Sequence, residues 1–330
     1  MGGGVGHGPD PGRPDAHAGG PLTRVEGQDV ADVLALDIGG TKTVAAVVAA
    51  GTTHPLGERP TPTDGAAAIE DAVVDALDAA RAAGRRPASI GLSVAGLVET
   101  DRSTVALAPN LPLREHDLGG RLRARTGLPV VVENDVNAAG WGEYLALPAP
   151  VSSYLVVMVG TGLGGAFVAD GHLVRGVAGL AMEVGHLVHE VDGAGCGCGG
   201  RGCWEQYASG TALVQGVRRT AGAAGWTGRD VQAAADRGDP VALAGFAGLG
   251  EALGEGLADL VLLTNPEVVT LGGGVARSAG HFLGRARQVL AARLGPNRAF
   301  LVPELRLSVL GPVAALTGVA DLALDRLPVG

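Results

Sequence analysis

All three cysteines of the 330-residue chain fall within eight residues, Cys196, Cys198 and Cys203 in CGCGGRGC, and two histidines, His186 and His189, lie shortly upstream. Three thiolates and one imidazole make a closed tetrahedral set for zinc of the structural kind. A glycine-rich loop buries no core of its own, so a bound metal would supply much of its folding energy. A disulfide would strand one cysteine, and inert buried thiols would not gather in one loop. The C-x-C-x4-C spacing itself departs from the common zinc-finger patterns.

Carboxylates bracket this loop. Glu183 in AMEVGH and Glu205 in GCWEQY are suited to accept hydrogen bonds from sugar hydroxyls. The plainer readings are a solvated strand end for Glu183 and a helix N-terminal carboxylate for Glu205. Asp135 closes the apolar run LPVVVEND ahead of VNAAGWGEYL. It is placed either to cap the helix that follows or to take the proton of an attacking hydroxyl. A capping box is absent, because Ala138 stands where Glu or Gln would be needed.

Phosphate chemistry is suggested elsewhere in the chain. Lys42 is its one lysine among 25 Lys and Arg residues, and it adjoins the Gly39-Gly40-Thr41 turn. A compact ammonium fits a phosphate oxygen beside a tight turn better than the wider guanidinium fork. The run GTGLGG (160–165) satisfies G-x-G-x-x-G, but it continues as a strand where a dinucleotide fingerprint must open a helix. Thr161 and Gly162 can still turn backbone N–H groups toward a phosphate, or simply form a hairpin tip. Gly272, Gly273 and Gly274 end a third apolar run, where an adenosine could approach the backbone. Three such turns at strand ends point to ATP.

The elements that must carry these groups alternate. ALDIGGTKTVAAVV (35–48) reads as strand, turn, strand; a helix is expected over about 67–83, a strand at SIGLSVAG (89–96), a helix at 118–127 and a strand at 128–135. YLVVMVGTGLGGAFVADGHLVRG (154–176) repeats the opening hairpin, then come a helical stretch over about 207–263, a strand at 267–276 and a closing helix after Pro312. The repeat implies an α/β chain of two similar lobes facing a cleft, with ligands at the carboxyl edges of strands. The expected division is an N-terminal lobe over 31–145, onto which helix 313–326 returns, and a C-terminal lobe over 146–312 that carries the cysteine loop. Residues 1–30, rich in Gly and Pro, are expected to be a disordered tail.

A net charge of −9 argues against nucleic acid or an anionic membrane as a partner. No apolar run reaches the roughly 20 residues of a membrane span, and no apolar leader core opens the chain. Clustered thiols without a disulfide framework suit the cytoplasm.

Together ALDIGGTKT, ENDVN, VGTGLGG, EVGH, CGCGGRGCWEQYASG and TLGGGVA resemble the ROK family of sugar kinases and repressors, and GCWEQYASG looks like the actinobacterial glucokinases. The resemblance runs from residue 33 onward. It implies a duplicated ribonuclease-H-like fold of the actin and hexokinase type, and ATP-dependent phosphorylation of glucose. It further implies Asp135 as general base, with Asn110, Asn134, Glu183, His186 and Glu205 holding sugar hydroxyls. Gly39 to Lys42, Thr161 and Gly162 would face the phosphates, Gly272 to Gly274 the adenosine, and Asp37 a magnesium ion. The same resemblance makes His186, rather than His189, the fourth zinc ligand, and makes a homodimer or homotetramer the expected assembly. Met182 stands where the family usually has Gly, and Ala95 where it usually has Pro. Other hexoses or N-acetylhexosamines are alternative acceptors. A sugar-responsive repressor is disfavoured, because residues 1–30 offer no DNA-binding module.

Overall fold

The computed structural model describes residues 31–222, 224–325 and 327, so the tail expected over 1–30 lies outside the described residues. Three strands open the chain, β1 (Val33–Ile38), β2 (Lys42–Ala49) and β3 (Thr52–Pro60), followed by α1 (Ala66–Ala82) and β4 (Ser89–Val94). A small sheet of β5 (Leu97–Val98), β6 (Thr104–Ala108) and β7 (Leu113–Asp117) comes next, then α2 (Leu118–Thr126), β8 (Val130–Asn134) and α3 (Asp135–Leu145). The second half begins with β9 (Ser153–Val159), β10 (Leu163–Ala169) and β11 (His172–Leu173). It continues through α4 (Glu205–Ala208), α5 (Gly210–Ala221), α6 (Gly228–Asp236) and α7 (Pro240–Thr264), and ends with β12 (Val268–Gly272), α8 (Ala279–Leu294), β13 (Glu304–Leu307) and α9 (Ala314–Leu324).

The two large sheets have the same topology. In the first the order is β3-β2-β1-β4-β8, in the second β11-β10-β9-β12-β13; each pairs an antiparallel meander with two further parallel strands. Both meanders turn back on two residues with positive φ, Ala50-Gly51 and Asp170-Gly171, the backbone that matches the twist of a two-residue hairpin. The duplication expected from the repeated hairpin therefore extends to every strand of both sheets.

Each lobe's last strand feeds a helix that crosses to the other. Helix α3 leaves β8 and lies against β9 and β10, while α9 follows β13 and lies against β1, β4 and β8. The crossing helices touch backbone to backbone. A side chain at Gly142 would strike the Ala314 carbonyl and one at Gly318 the Ala138 carbonyl, so only glycine allows this approach. Trp141, Tyr144, Tyr154, Val156, Leu316 and Val319 share the core between the lobes. Burying such side chains contributes about 1.5–3 kcal/mol each, which makes this junction a packed core shared by both lobes.

Sequence periodicity did not anticipate the small sheet over 97–117, whose strands are short and irregular. The stretch 207–263 is divided into four helices, and α6 starts on a capping box between Thr227 and Asp230. Among the described residues no helix is long and apolar enough to cross a membrane.

Candidate active site

Because β1, β4 and β8 run parallel, their carboxyl ends open on one edge, and the turn after β1 and the start of α3 come together there. Asn134, not Asp135, caps α3: its Oδ1 accepts from the Val136 and Asn137 amides at 3.0 Å each. Its Nδ2 donates to the Gly96 carbonyl at 3.0 Å and to Asp135 Oδ1 at 3.2 Å. Asp135 is thus the first helical residue, its Oδ1 held by the Asn134 side-chain amide and by the Val136 amide at 3.0 Å. Burial pushes its carboxyl up to about 7, and the nearby charges of Asp37 and Glu183 push the same way. Such a group is about half ionised at neutral pH, and its carboxylate form is basic enough to accept a proton.

Asp37, near the end of β1, accepts from Ser93 Oγ at 2.7 Å. Burial raises its carboxyl too, an effect opposed by that hydroxyl and by the Lys42 ammonium. Lys42 Nζ lies 2.8 Å from Glu58 Oε2, and both side chains are more than half exposed. An ion pair in that setting contributes at most about 1 kcal/mol, so transfer of the ammonium to a polyanion costs little. The Gly39 amide donates to the Lys42 carbonyl, and Thr61 Oγ1 donates to the Gly39 carbonyl, holding the turn. Gly40 abuts Asn110, whose Cβ would meet any side chain there at 2.8 Å.

The second hairpin approaches the start of α3 from the other lobe, with Gly164 against Val136. Gly160 accepts from the Gly210 amide at 2.8 Å, and the Thr161 carbonyl accepts from Thr211 Oγ1 at 2.7 Å, which anchors the tip on the start of α5. The Leu163 amide donates to Glu205 Oε2 at 3.3 Å, and a side chain at Gly162 would collide with that carboxylate. The third glycine cluster has a packing reason of its own: Gly273 has φ 84° and presses on the Val159 carbonyl, and Gly272 packs against Met158.

Beside Glu205, the ligand atoms of His186, Cys196, Cys198 and Cys203 lie within 4.8 Å of one another. Cys196 Sγ is 3.7 Å from His186 Nδ1, and Cys198 Sγ is 3.6 Å from Cys203 Sγ. Tetrahedral ligands on zinc bonds of about 2.3 Å stand roughly 3.7 Å apart, so the donor set and its spacing fit that ion. His189 turns away, its Nε2 at 3.4 Å from Glu255 and its ring against Tyr207. Trp204, 1 % exposed, pins the loop by donating to the Ala252 carbonyl at 2.7 Å over Gly256.

The two departures from the family pattern acquire a physical meaning. Met182 has φ 70°, a left-handed backbone that glycine adopts without penalty and methionine does not. The Ala95 amide donates to the Ile38 carbonyl at 3.1 Å, a bond that proline cannot make. Reading the sequence also passed over Ser93, the partner of Asp37, and Glu133, a carboxylate 2 % exposed at the end of β8. An acid in the apolar run VVVE was the available signal for the latter.

Residues 33–326 match the model of the ROK family. The chain is 38 % identical over 314 residues to a glucokinase of Streptomyces coelicolor, covering 90 % of this chain and 98 % of that one. Among solved structures it is similar to a ROK family glucokinase from Streptomyces griseus in complex with glucose and AMPPNP, with a TM-score of 0.78, 37 % identity and coverage of 89 % and 99 %. It is also similar to a ROK hexokinase from Thermus thermophilus, with a TM-score of 0.75, 34 % identity and coverage of 88 % and 97 %.

Proposed function

This chain belongs to the ROK family, and from that premise we propose that it transfers the γ-phosphoryl group of ATP to the 6-hydroxyl of glucose, with Asp135 as general base. The sugar oxygen forms its bond to phosphorus as the bond to the β-phosphate oxygen breaks. The hydroxyl proton passes to Asp135, and ADP leaves with the electron pair. Because the transition state is loose, the protein's task is alignment and neutralisation of charge more than deep activation of the nucleophile.

Asn110, Asn134, Glu183, His186 and Glu205 are assigned to the sugar hydroxyls. The Nδ2 donor that Asn134 now gives to Asp135 is available to an incoming hydroxyl. Gly39, Gly40, Thr41, Lys42, Thr161 and Gly162 are assigned to the phosphates, and Gly272 to Gly274 to the adenosine side. Asp37 would hold magnesium directly or through water, and a dication there neutralises phosphate charge. His186 and the three cysteines would hold zinc, which shapes the acceptor wall and leaves no open coordination position for chemistry. A cytoplasmic homodimer or homotetramer completes the proposal.

One observation carries this reading. Asp37, near the turn assigned to the phosphates, is close enough to Asp135 that its charge helps raise that carboxyl, while Asn110 lies against Gly40 and Glu205 against Gly162. These contacts support placing donor and acceptor groups on one cleft. The test is an ADP-release assay over glucose, mannose, fructose, N-acetylmannosamine and N-acetylglucosamine, with ATP or polyphosphate as donor. Glucose with ATP is expected to give the highest kcat/KM; a higher value for another sugar, or for polyphosphate, overturns the assignment.

A further inference from the structure

Glu133 divides its carboxylate between the two lobes. Its Oε1 accepts from the Asn134 amide and from Asn137 Nδ2, both at 3.2 Å, and so ties down the turn that presents Asp135. Its Oε2 takes Arg175 Nε and Nη2, both at 2.8 Å, with Arg102 Nε at 3.9 Å. Arg175 belongs to the other lobe, just after β11.

Arg175 also roots the segment that carries Glu183. Its carbonyl accepts from the Ala181 amide at 3.0 Å, closing a loop over 175–181 that delivers Met182 and Glu183 to the cleft. The loop meets the first lobe again at Gly179, where a side chain would strike the Val98 carbonyl. A carboxylate 3 % exposed and a guanidinium 21 % exposed form an ion pair removed from most solvent screening. Removing one partner leaves an uncompensated buried charge, so the pair holds as a unit.

We propose that Glu133 and Arg175 are a positioning pair, an interlobe latch that sets Asp135 and the Glu183 loop in register across the acceptor site. Neither residue is assigned a substrate contact. The inference rests on the proposed function in one respect, that Asp135 and Glu183 serve the same acceptor. The latch lies on the acceptor side only. The phosphate turns at 39–42 and 160–162 have their own anchors in Thr61 and Thr211.

The experiment is a double-mutant cycle of Glu133→Gln and Arg175→Gln, read by kcat and KM for glucose, KM for ATP, and amide hydrogen exchange over 176–183. Misplacement of about 1 Å costs roughly 100-fold in reactivity, so each single variant is expected to lose about that much kcat/KM for glucose while KM for ATP holds. The double variant is expected to lose no more than the worse single one. Arg175→Lys and Glu133→Asp should recover part of the loss and supply the cycle if the Gln variants fail to fold. Glucose kinetics within about twofold of wild type, a parallel rise in KM for ATP, or additive losses overturn the latch. If the wild-type protein does not phosphorylate glucose, the proposed function fails, and exchange decides the latch alone. Faster exchange over 176–183 in Arg175→Gln supports it; unchanged exchange overturns it.

Discussion

The two lobes end alike and are used differently. At the end of β8 the chain turns into α3 with Asp135 on the first helical turn, its carboxyl forced toward neutrality by burial and by like charge. At the matching end of β13 the chain turns toward α9 through Ser308, Val309 and Leu310, and buried Glu143 of α3 accepts from the Ser308 hydroxyl and from both amides, at 3.0 and 3.1 Å. One strand end is fully satisfied and joins the lobes; the other keeps a carboxylate in conflict with its surroundings. A duplicated scaffold thus separates its roles by what each strand end does with one acid.

Replacing each acid in turn is the sharpest way to break that comparison. Asp135→Asn is expected to lower kcat by about 10³-fold, within the range for removing a general base, while glucose binding by calorimetry persists. The same variant should be more stable than wild type above pH 7. An acid whose pKa is raised on folding binds its proton more tightly in the folded state, so its contribution declines as pH rises from about 4 to about 7. The amide escapes that loss, and urea unfolding at pH 8 should show a gain of about 1–4 kcal/mol. Glu143→Ala should behave oppositely, losing about 2–4 kcal/mol because three donors at the junction of the lobes lose a charged acceptor, with a smaller effect on kcat per folded molecule.

Cys198→Ser sharpens the comparison on the acceptor side. It should release zinc, measured by elemental analysis, and raise KM for glucose about tenfold, because Glu205 and His186 are held by the loop the metal crosslinks. The smallest effect belongs to Met182→Gly. It removes a left-handed backbone penalty of about 1–2 kcal/mol but adds chain entropy to the unfolded state, so a net gain of under about 1 kcal/mol is expected in urea unfolding.

Much of this is legible in the sequence alone. Repeated hairpins with Gly-Thr turns disclosed the duplication, because a two-residue period flanking a turn is a local signal. The three thiol ligands were readable because cysteine is scarce in this chain and its three copies are close together, whereas His186 was chosen over His189 by resemblance. What escaped reading depends on distant partners. Asp135 was expected to end a strand, yet Asn134 caps the helix instead, a choice of one residue that propensity cannot make. Glu133 and Arg175 meet across 42 positions of sequence, and Glu143 meets Ser308 across 165. Nothing in local pattern links them. The short strands over 97–117 were missed because two irregular pairings leave no alternation to detect.

The pH dependence of kcat/KM for glucose tests the central claim most directly, since it reports the ionisation of the base in the free enzyme. A base held near 7 predicts a tenfold rise per pH unit at low pH that levels off at about pH 7, and loss of that limb in Asp135→Asn. A flat profile between about pH 5 and 8, or the same limb persisting in Asp135→Asn, would contradict the assignment of Asp135 as the group that takes the proton.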